Sequence, residues 1–163
     1  MATGSGAINL TGLTFVESLT TFVTNGVTAA SGSIGTGPSG VTLNIDRYTG
    51  FTGPTSFGSG AGAAANPGSG DYVAIAGFTG LLVLPHGYVS GAALSDSMTF
   101  NHATIHSLGV IPGTYTWTWG TGLPNQNFTL QIGRATVPDA GSTVSLLGCA
   151  LLGLAALRRR LGC

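Results

Sequence analysis

Apolar and polar side chains alternate along several segments of this chain, and this pattern limits the fold more than any other feature. In residues 115–119 aromatic side chains alternate with threonines, and residues 128–132 repeat the pattern with Phe, Leu and Ile. Val41–Asp46 alternates in the same way. Because successive side chains of a strand point to opposite faces, each segment is predicted to be a β-strand with one buried face.

The remaining body segments favour the same class of structure. A stretch of eight residues rich in Gly, Pro and Asn separates the last two segments, which predicts a wide antiparallel hairpin. Residues 72–76 and 81–84 predict two more strands, and a bulge at Thr11–Gly12 would keep 8–15 on one face. The predicted fold is therefore all-β, a two-layer antiparallel β-sandwich, with a curved single sheet or partial barrel as the alternative.

The chain divides into a body, 1–136, and a C-terminal tail, 137–163. A hydrophobic content of 43% argues against disorder for most of the body. Residues 50–70 are the exception, because they consist largely of Gly, Ser, Ala and Pro and offer almost nothing to bury. This segment is predicted to be a long flexible loop.

Charge is scarce in this sequence. Asp, Glu, Lys and Arg make up 6% of the residues, none of them is Lys, and the body before Val137 carries a formal net charge of −2. Nucleic-acid binding needs a basic surface to neutralise phosphates, so it is excluded. Both cysteines, Cys149 and Cys163, lie in the tail, so the body must be held without disulfides. A neutral surface rich in hydroxyl groups fits an extracellular protein surrounded by polymers.

The tail contains an apolar run followed by a basic cluster. Ser145 is the one polar side chain in 144–157, so a helix built from this run would be apolar all round and would need a bilayer or a core. Arg158, Arg159 and Arg160 follow, and the positive-inside rule keeps them in the cytoplasm. A helix of this length spans about 21 Å against about 30 Å of hydrocarbon, which predicts a marginal, temporary transmembrane anchor. The alternative is a C-terminal core helix that ends in a solvated Arg run.

A short motif precedes the apolar run, namely Val137-Pro138-Asp139-Ala140-Gly141-Ser142-Thr143. Motif, apolar run and Arg cluster together resemble a PEP-CTERM sorting signal in its Val-Pro-Asp variant, with Asp139 and Ala140 in place of Glu and the second Pro of the core motif. The resemblance implies that an exosortase, a membrane-embedded cysteine transpeptidase, recognises the tail and removes it. The motif residues would be substrate for that enzyme.

Parts of the body resemble the same group of proteins. Residues 84–91, 107–120 and 128–133 are similar to a block that recurs in small exported PEP-CTERM proteins without an assigned activity. The resemblance implies transient membrane anchoring through 144–157 with a cytoplasmic C-terminus, and a mature body at the cell surface or outside the cell. Members of this family begin with a Sec-type signal, whereas Met1–Gly6 has neither a basic nor an apolar region, so we expect the true start to lie upstream.

Trp117 and Trp119 are the strongest candidate binding residues of the body. Exposed aromatic side chains two apart on a strand could stack on sugar rings, which would make the body a carbohydrate-binding module for exopolysaccharide. The alternative is that both indoles supply core bulk to the hairpin.

The remaining motifs do not support catalysis or metal binding. His102 and His106 are four apart, but no carboxylate and no helical context accompany them, and His86 follows Pro85 in a predicted exposed turn. Residues 35–40 match G-x-G-x-x-G, but a strand follows where a phosphate site needs a helix. We therefore predict no cofactor, no metal and no enzymatic activity. The resemblance of the tail implies an exported envelope or matrix protein as the function.

Overall fold

Twelve β-strands make up about half of residues 1–133, which are the residues that the computed structural model describes. A single turn of 3-10 helix, Ala29–Ser31, lies between the third and fourth strands. The strands, in chain order, are β1 (Ala2–Ala7), β2 (Thr14–Val23), β3 (Gly26–Thr28), β4 (Ser33–Thr36), β5 (Val41–Thr49), β6 (Ala63–Ala64), β7 (Asn66–Gly70), β8 (Val73–Ala76), β9 (Leu81–Pro85), β10 (Ala93–Thr99), β11 (Gly113–Thr118) and β12 (Asn127–Ile132).

Every strand pair in this part of the chain is antiparallel, which confirms the all-β antiparallel prediction. Seven strands form one sheet in the order β2-β5-β9-β8-β4-β3-β6, three form a sheet in the order β1-β10-β7, and β11 pairs with β12. The two-layer sandwich arrangement stays a prediction. Among residues 1–133 no helix has the length and apolar character to cross a membrane. The predicted motif 137–143, apolar helix 144–157 and Arg158–Arg160 lie outside the described residues.

One apolar core receives side chains from all three sheets. The unbroken Leu-Leu-Val-Leu of β9 is typical of a strand buried on both faces, and β9 lies between β5 and β8. Burial of each large aliphatic side chain stabilises the fold by about 1.5–3 kcal/mol. The core members include Ile34, Ile75, Leu82 and Leu84 of the large sheet, Leu94 and Met98 of β10, and Trp117 of β11.

The predicted C-terminal hairpin is confirmed. β11 and β12 pair with Trp117 opposite Phe128, and residues 119–126 connect them. Tyr115 and Trp117 lie on the inner face, whereas Thr114 and Thr116 are exposed, as the alternation indicates.

Two predictions about the body were wrong. Residues 50–70 are not a loop throughout, because they contain β6 and β7, and Phe57 is only 1% exposed within the core. The Thr11–Gly12 pair forms a turn and not a bulge, so β1 and β2 belong to different sheets. The change of alternation between Leu10 and Leu13 marks this change of sheet.

Candidate functional site

The two tryptophans are core residues. Trp117 is 0% exposed and Trp119 is 5% exposed. The Nε1 of Trp117 donates to the Pro54 carbonyl at 2.8 Å, and the Nε1 of Trp119 donates to the Asn9 carbonyl at 2.7 Å. Phe57 and Phe128 pack edge-on against the Trp117 ring. Neither indole presents a face to solvent, which removes the basis for glycan stacking on Trp117 and Trp119 and favours the core alternative.

The side chain of Gln126 connects the loop of the C-terminal hairpin to the N-terminal segment, and no sequence pattern indicated this role. Gln126 is buried, and its Oε1 accepts hydrogen bonds from the backbone N–H groups of Thr121 and Leu123. Its Nε2 donates to the Thr11 carbonyl at 2.7 Å, across 115 positions of the chain. Because the Asn9 N–H also donates to the Asn125 carbonyl, the loop 119–126 is tied to the N-terminal segment. We call these contacts the terminal clasp.

Asp46 is the centre of a polar cluster that joins three segments of the large sheet. It lies on β5 opposite Ser18 of β2, and His86 approaches from the turn after β9. Asp46 Oδ1 accepts from Ser18 Oγ at 2.6 Å and is 2.8 Å from His86 Nδ1, while Oδ2 accepts the Gly87 N–H at 2.9 Å. The Asp46 side chain is buried, and the His86 side chain is 55% exposed. The cluster therefore ties β2, β5 and the β9 turn together.

The order of these contacts decides what the cluster can do. In a Ser-His-Asp triad the imidazole lies between the hydroxyl and the carboxylate and takes the serine proton. Here the carboxylate of Asp46 lies between Ser18 and His86, so the imidazole does not contact the hydroxyl. The arrangement suits fastening of strands better than nucleophilic catalysis. Of this cluster the sequence indicated only the exposed turn at His86.

Two opposing effects set the pKa of Asp46. Burial would raise it, but the hydrogen bonds from Ser18, His86 and Gly87 together lower it below its ordinary value of 3.8. Charge-assisted hydrogen bonds of this kind favour the ionised form. The folded body therefore binds a proton at Asp46 less readily than the unfolded chain does.

We expect Asp46→Asn to reduce the free energy of unfolding at neutral pH by about 1–3 kcal/mol. We also expect this free energy to fall less steeply with pH in acid than it does in the parent. Because the folded pKa is lowered, the stabilisation by Asp46 is present above the unfolded value of 3.8 and is lost as pH falls through the folded value. Thermal unfolding between about pH 2 and pH 7 measures this. Glu17→Gln, which removes an exposed carboxylate, should cost about 1 kcal/mol or less. An unchanged acid profile in Asp46→Asn would contradict the argument.

A second carboxylate, Asp96, is buried on β10. It lies on the core face between Leu94 and Met98, and glycines stand opposite it on both neighbouring strands. Burial raises the pKa of Asp96, and the nearby charge of Asp71 adds to this, against hydrogen bonds that lower it. Its Oδ1 accepts no hydrogen bond from the described residues. Burial of an ionised carboxylate is costly, so Asp96 gives up its proton less readily than an exposed aspartate does.

The other candidate residues are not brought into a site. His102 and His106 are exposed in the segment after β10, and the part of the chain described contains no group of three metal-binding side chains. Gly35 lies in β4, paired with Ala74 of β8, and the strand β5 follows residues 35–40. The predictions of no metal site and no phosphate loop thus rest on the same sequence arguments as before.

A shallow cleft of about 400 Å³ opens over β3, β4 and β8. Glycines and alanines form much of its lining, and Tyr72 supplies the aromatic ring. The Tyr72 hydroxyl donates to the Thr24 carbonyl at 3.1 Å. The lining offers hydroxyl and backbone groups but no acid or base, so it is not a site for proton transfer.

Comparison with known proteins concerns the tail. Residues 136–161 match the family described as the VPDSG-CTERM motif, a PEP-CTERM-like sorting tail, which confirms the interpretation of Val137–Thr143. Ala140 stands where the name of that motif has Ser. No curated protein and no solved structure is significantly similar to the chain. Residues 1–135 lie outside this match.

Proposed function

We propose, on the premise that residues 136–161 are a PEP-CTERM-like sorting tail, that this chain is an exported cell-envelope or extracellular-matrix protein processed by an exosortase. The body of the protein is the mature product, folded as a β-sandwich. The tail is the sorting signal, and its motif 137–143 is presented at the outer boundary of the membrane. Run 144–157 holds it there transiently as a transmembrane helix, with Arg158–Arg160 in the cytoplasm.

The observation that carries this proposal is the family match at 136–161. Its position agrees with removal of the tail, because β12 ends at Ile132, before the match begins. A cut inside the motif would leave all twelve described strands in the mature product. The body would therefore keep its core after processing.

The body is proposed to act without catalysis. The Asp46 carboxylate lies between Ser18 and His86, an order that does not activate a serine. Trp117 and Trp119 are buried in the core, and their indole N–H groups donate hydrogen bonds to backbone carbonyls. These placements support a structural or interaction role at the cell surface, where a scarcely charged exterior meets other polymers.

Replacing Pro138-Asp139 by Ala-Ala is expected to abolish processing. The motif is the part of the tail that the sorting enzyme must recognise, and Pro138 fixes its backbone while Asp139 supplies its charge. The gene is altered at its own locus in the native host, and the intact mass of the membrane-bound and extracellular products is measured. The parent should end within 137–143, whereas the variant should retain Arg158–Arg160 and stay in the membrane.

A matched control separates recognition of the motif from damage to the body. Thr129→Ala with Gln131→Ala changes two exposed side chains of β12, so the fold and the tail are preserved. This control should be cut as the parent is. Normal cutting of the Ala-Ala variant, or a parent that retains the Arg cluster, would overturn the proposal.

A further inference from the structure

The strand β2 is an edge of the seven-stranded sheet. Within the described residues it pairs with β5 on one side, and no strand of this part of the chain pairs with its other side. It is ten residues long, and most of its side chains are exposed. An edge of this length presents a row of backbone N–H and C=O groups that another strand can pair with.

Natural edge strands are protected by lysines, prolines, bulges or inward charges. β2 has no Lys or Pro, and its single charge, Glu17, forms an ion pair with Arg47 of the neighbouring strand at 2.8 Å. A bulge interrupts it between Phe15 and Glu17, but the register with β5 is continuous from Glu17 to Val23. The protection therefore covers one end of β2. Val23 is buried at the other end, which leaves 18–22 open for pairing.

The exposed groups of 18–22 complement a second copy of themselves. Ser18, Thr20 and Phe22 lie on one face, and Phe22 is 64% exposed. If two copies meet in antiparallel fashion about a two-fold axis at Thr20, each Phe22 lies beside Ser18 of the other copy, and Thr20 faces Thr20. Threonine pairs stabilise sheets, as do aromatic side chains beside β-branched ones, and each Phe22 also lies diagonally next to Thr20 of the other copy.

The charges also permit this arrangement. With the axis at Thr20, the two Glu17 side chains are separated by six positions, which is about 20 Å along the strands. That distance exceeds the Debye length of about 8–10 Å at physiological salt, so the two carboxylates do not repel appreciably. Each Glu17 keeps Arg47 as its own partner.

We propose that β2 is a homotypic interface: two copies of this protein pair edge to edge through 18–22, antiparallel and centred on Thr20, to continue the seven-stranded sheet across both. The occupant is a second copy of this chain, because the exposed groups of the strand pair with themselves in this register and its one charge, Glu17, is already paired with Arg47. This interface uses residues of the body and is independent of the sorting tail.

Thr20→Lys tests the interface, because the two-fold axis brings the new ammonium groups of both copies face to face. Like charges at this distance should weaken dimerisation by roughly tenfold or more. Thr42→Lys is the charge-matched control, since Thr42 is exposed on β5, one strand inside the edge. Asn44→Ala is the second control, because it removes the same 2.6 Å hydrogen bond from Thr20 Oγ1 but leaves the edge intact.

The measurement is sedimentation of the purified full-length chain in mild detergent over a range of concentrations. We expect dimers in the parent, Thr42→Lys and Asn44→Ala, and monomers in Thr20→Lys. A parent that is monomeric at all concentrations, or a dimer that Thr20→Lys leaves intact, would overturn the proposal. The second result would assign dimerisation to another surface.

Cross-linking tests the register separately. In a background with Cys149→Ser and Cys163→Ser, Thr20→Cys should give a disulfide-linked dimer under mild oxidation, because the Cβ atoms of closely spaced opposed pairs lie about 4.5 Å apart, at the upper end of the range that a disulfide spans. Thr42→Cys should remain unlinked. Equal linkage at both positions would indicate random collision and would contradict the two-fold register.

Discussion

Trp117→Ala is expected to lower the free energy of unfolding by about 3–5 kcal/mol, a large part of what a domain of this size has. The side chain is completely buried and packs edge-on against Phe57 and Phe128. Its removal leaves a cavity, and it also leaves the Pro54 carbonyl without its donor. Urea unfolding of the full-length chain, followed by circular dichroism, measures the loss.

Two further variants separate the packing of this indole from its hydrogen bond. Trp117→Phe keeps an aromatic ring in the core but cannot donate to Pro54, so its cost should be smaller than that of Trp117→Ala. Thr114→Ala changes an exposed position of the same strand and should alter stability by about 0.5 kcal/mol or less. Equal stability of Trp117→Ala and the Thr114 control would show that the indole is not part of the core.

Gly58→Ala is expected to lower the free energy of unfolding by about 2–5 kcal/mol, from backbone strain and overpacking together. Gly58 has a φ of +155°, and a Cβ there would lie 2.1 Å from the Gly109 carbonyl oxygen. The bridge between Gly58 and Val110 must open to make room for it. The same urea titration measures the change.

Gly6→Ala is the matched control for the close approach at Gly58. Gly6 has a similar φ of +138°, but a Cβ there meets nothing within 4 Å. It should therefore cost only the strain of its backbone, about 1–3 kcal/mol. If the two variants lose the same stability, the contact between residues 58–60 and 109–110 contributes nothing.

The hairpin could be predicted from sequence because its information is local. Alternation within 115–119 and 128–132 defines both faces, and the intervening Gly, Pro and Asn residues define the turn. The tail was predictable for a similar reason, since its motif, apolar run and Arg cluster are contiguous, and the family match covers them.

The order in residues 50–70 was not predictable, because it comes from backbone contacts with distant residues. The Phe57 N–H donates to the Ala29 carbonyl, and the Ile111 N–H donates to the Phe57 carbonyl. Glycines make these close approaches possible, yet in the sequence they look like those of a flexible linker. Backbone pairing of this kind leaves no side-chain pattern to detect.

The Asp46 cluster was missed for a related reason. Its carboxylate meets Ser18, 28 positions away, and His86, 40 positions away. Neither spacing has a meaning before the strands are paired. Only the register of β2 with β5 places Ser18 opposite Asp46.

The terminal clasp has a consequence for the order in which the molecule is made. Trp119 donates a hydrogen bond to the Asn9 carbonyl across 110 positions, and Gln126 donates one to the Thr11 carbonyl across 115. The N-terminal segment can therefore make these contacts only after nearly the whole body has been synthesised. Contacts this far apart in the chain form late, because the loop between them must close first. During synthesis the N-terminal segment is therefore secured by the terminal clasp only after the final hairpin has emerged. A body joined in this way reaches its full stability only once its last described strand has been made.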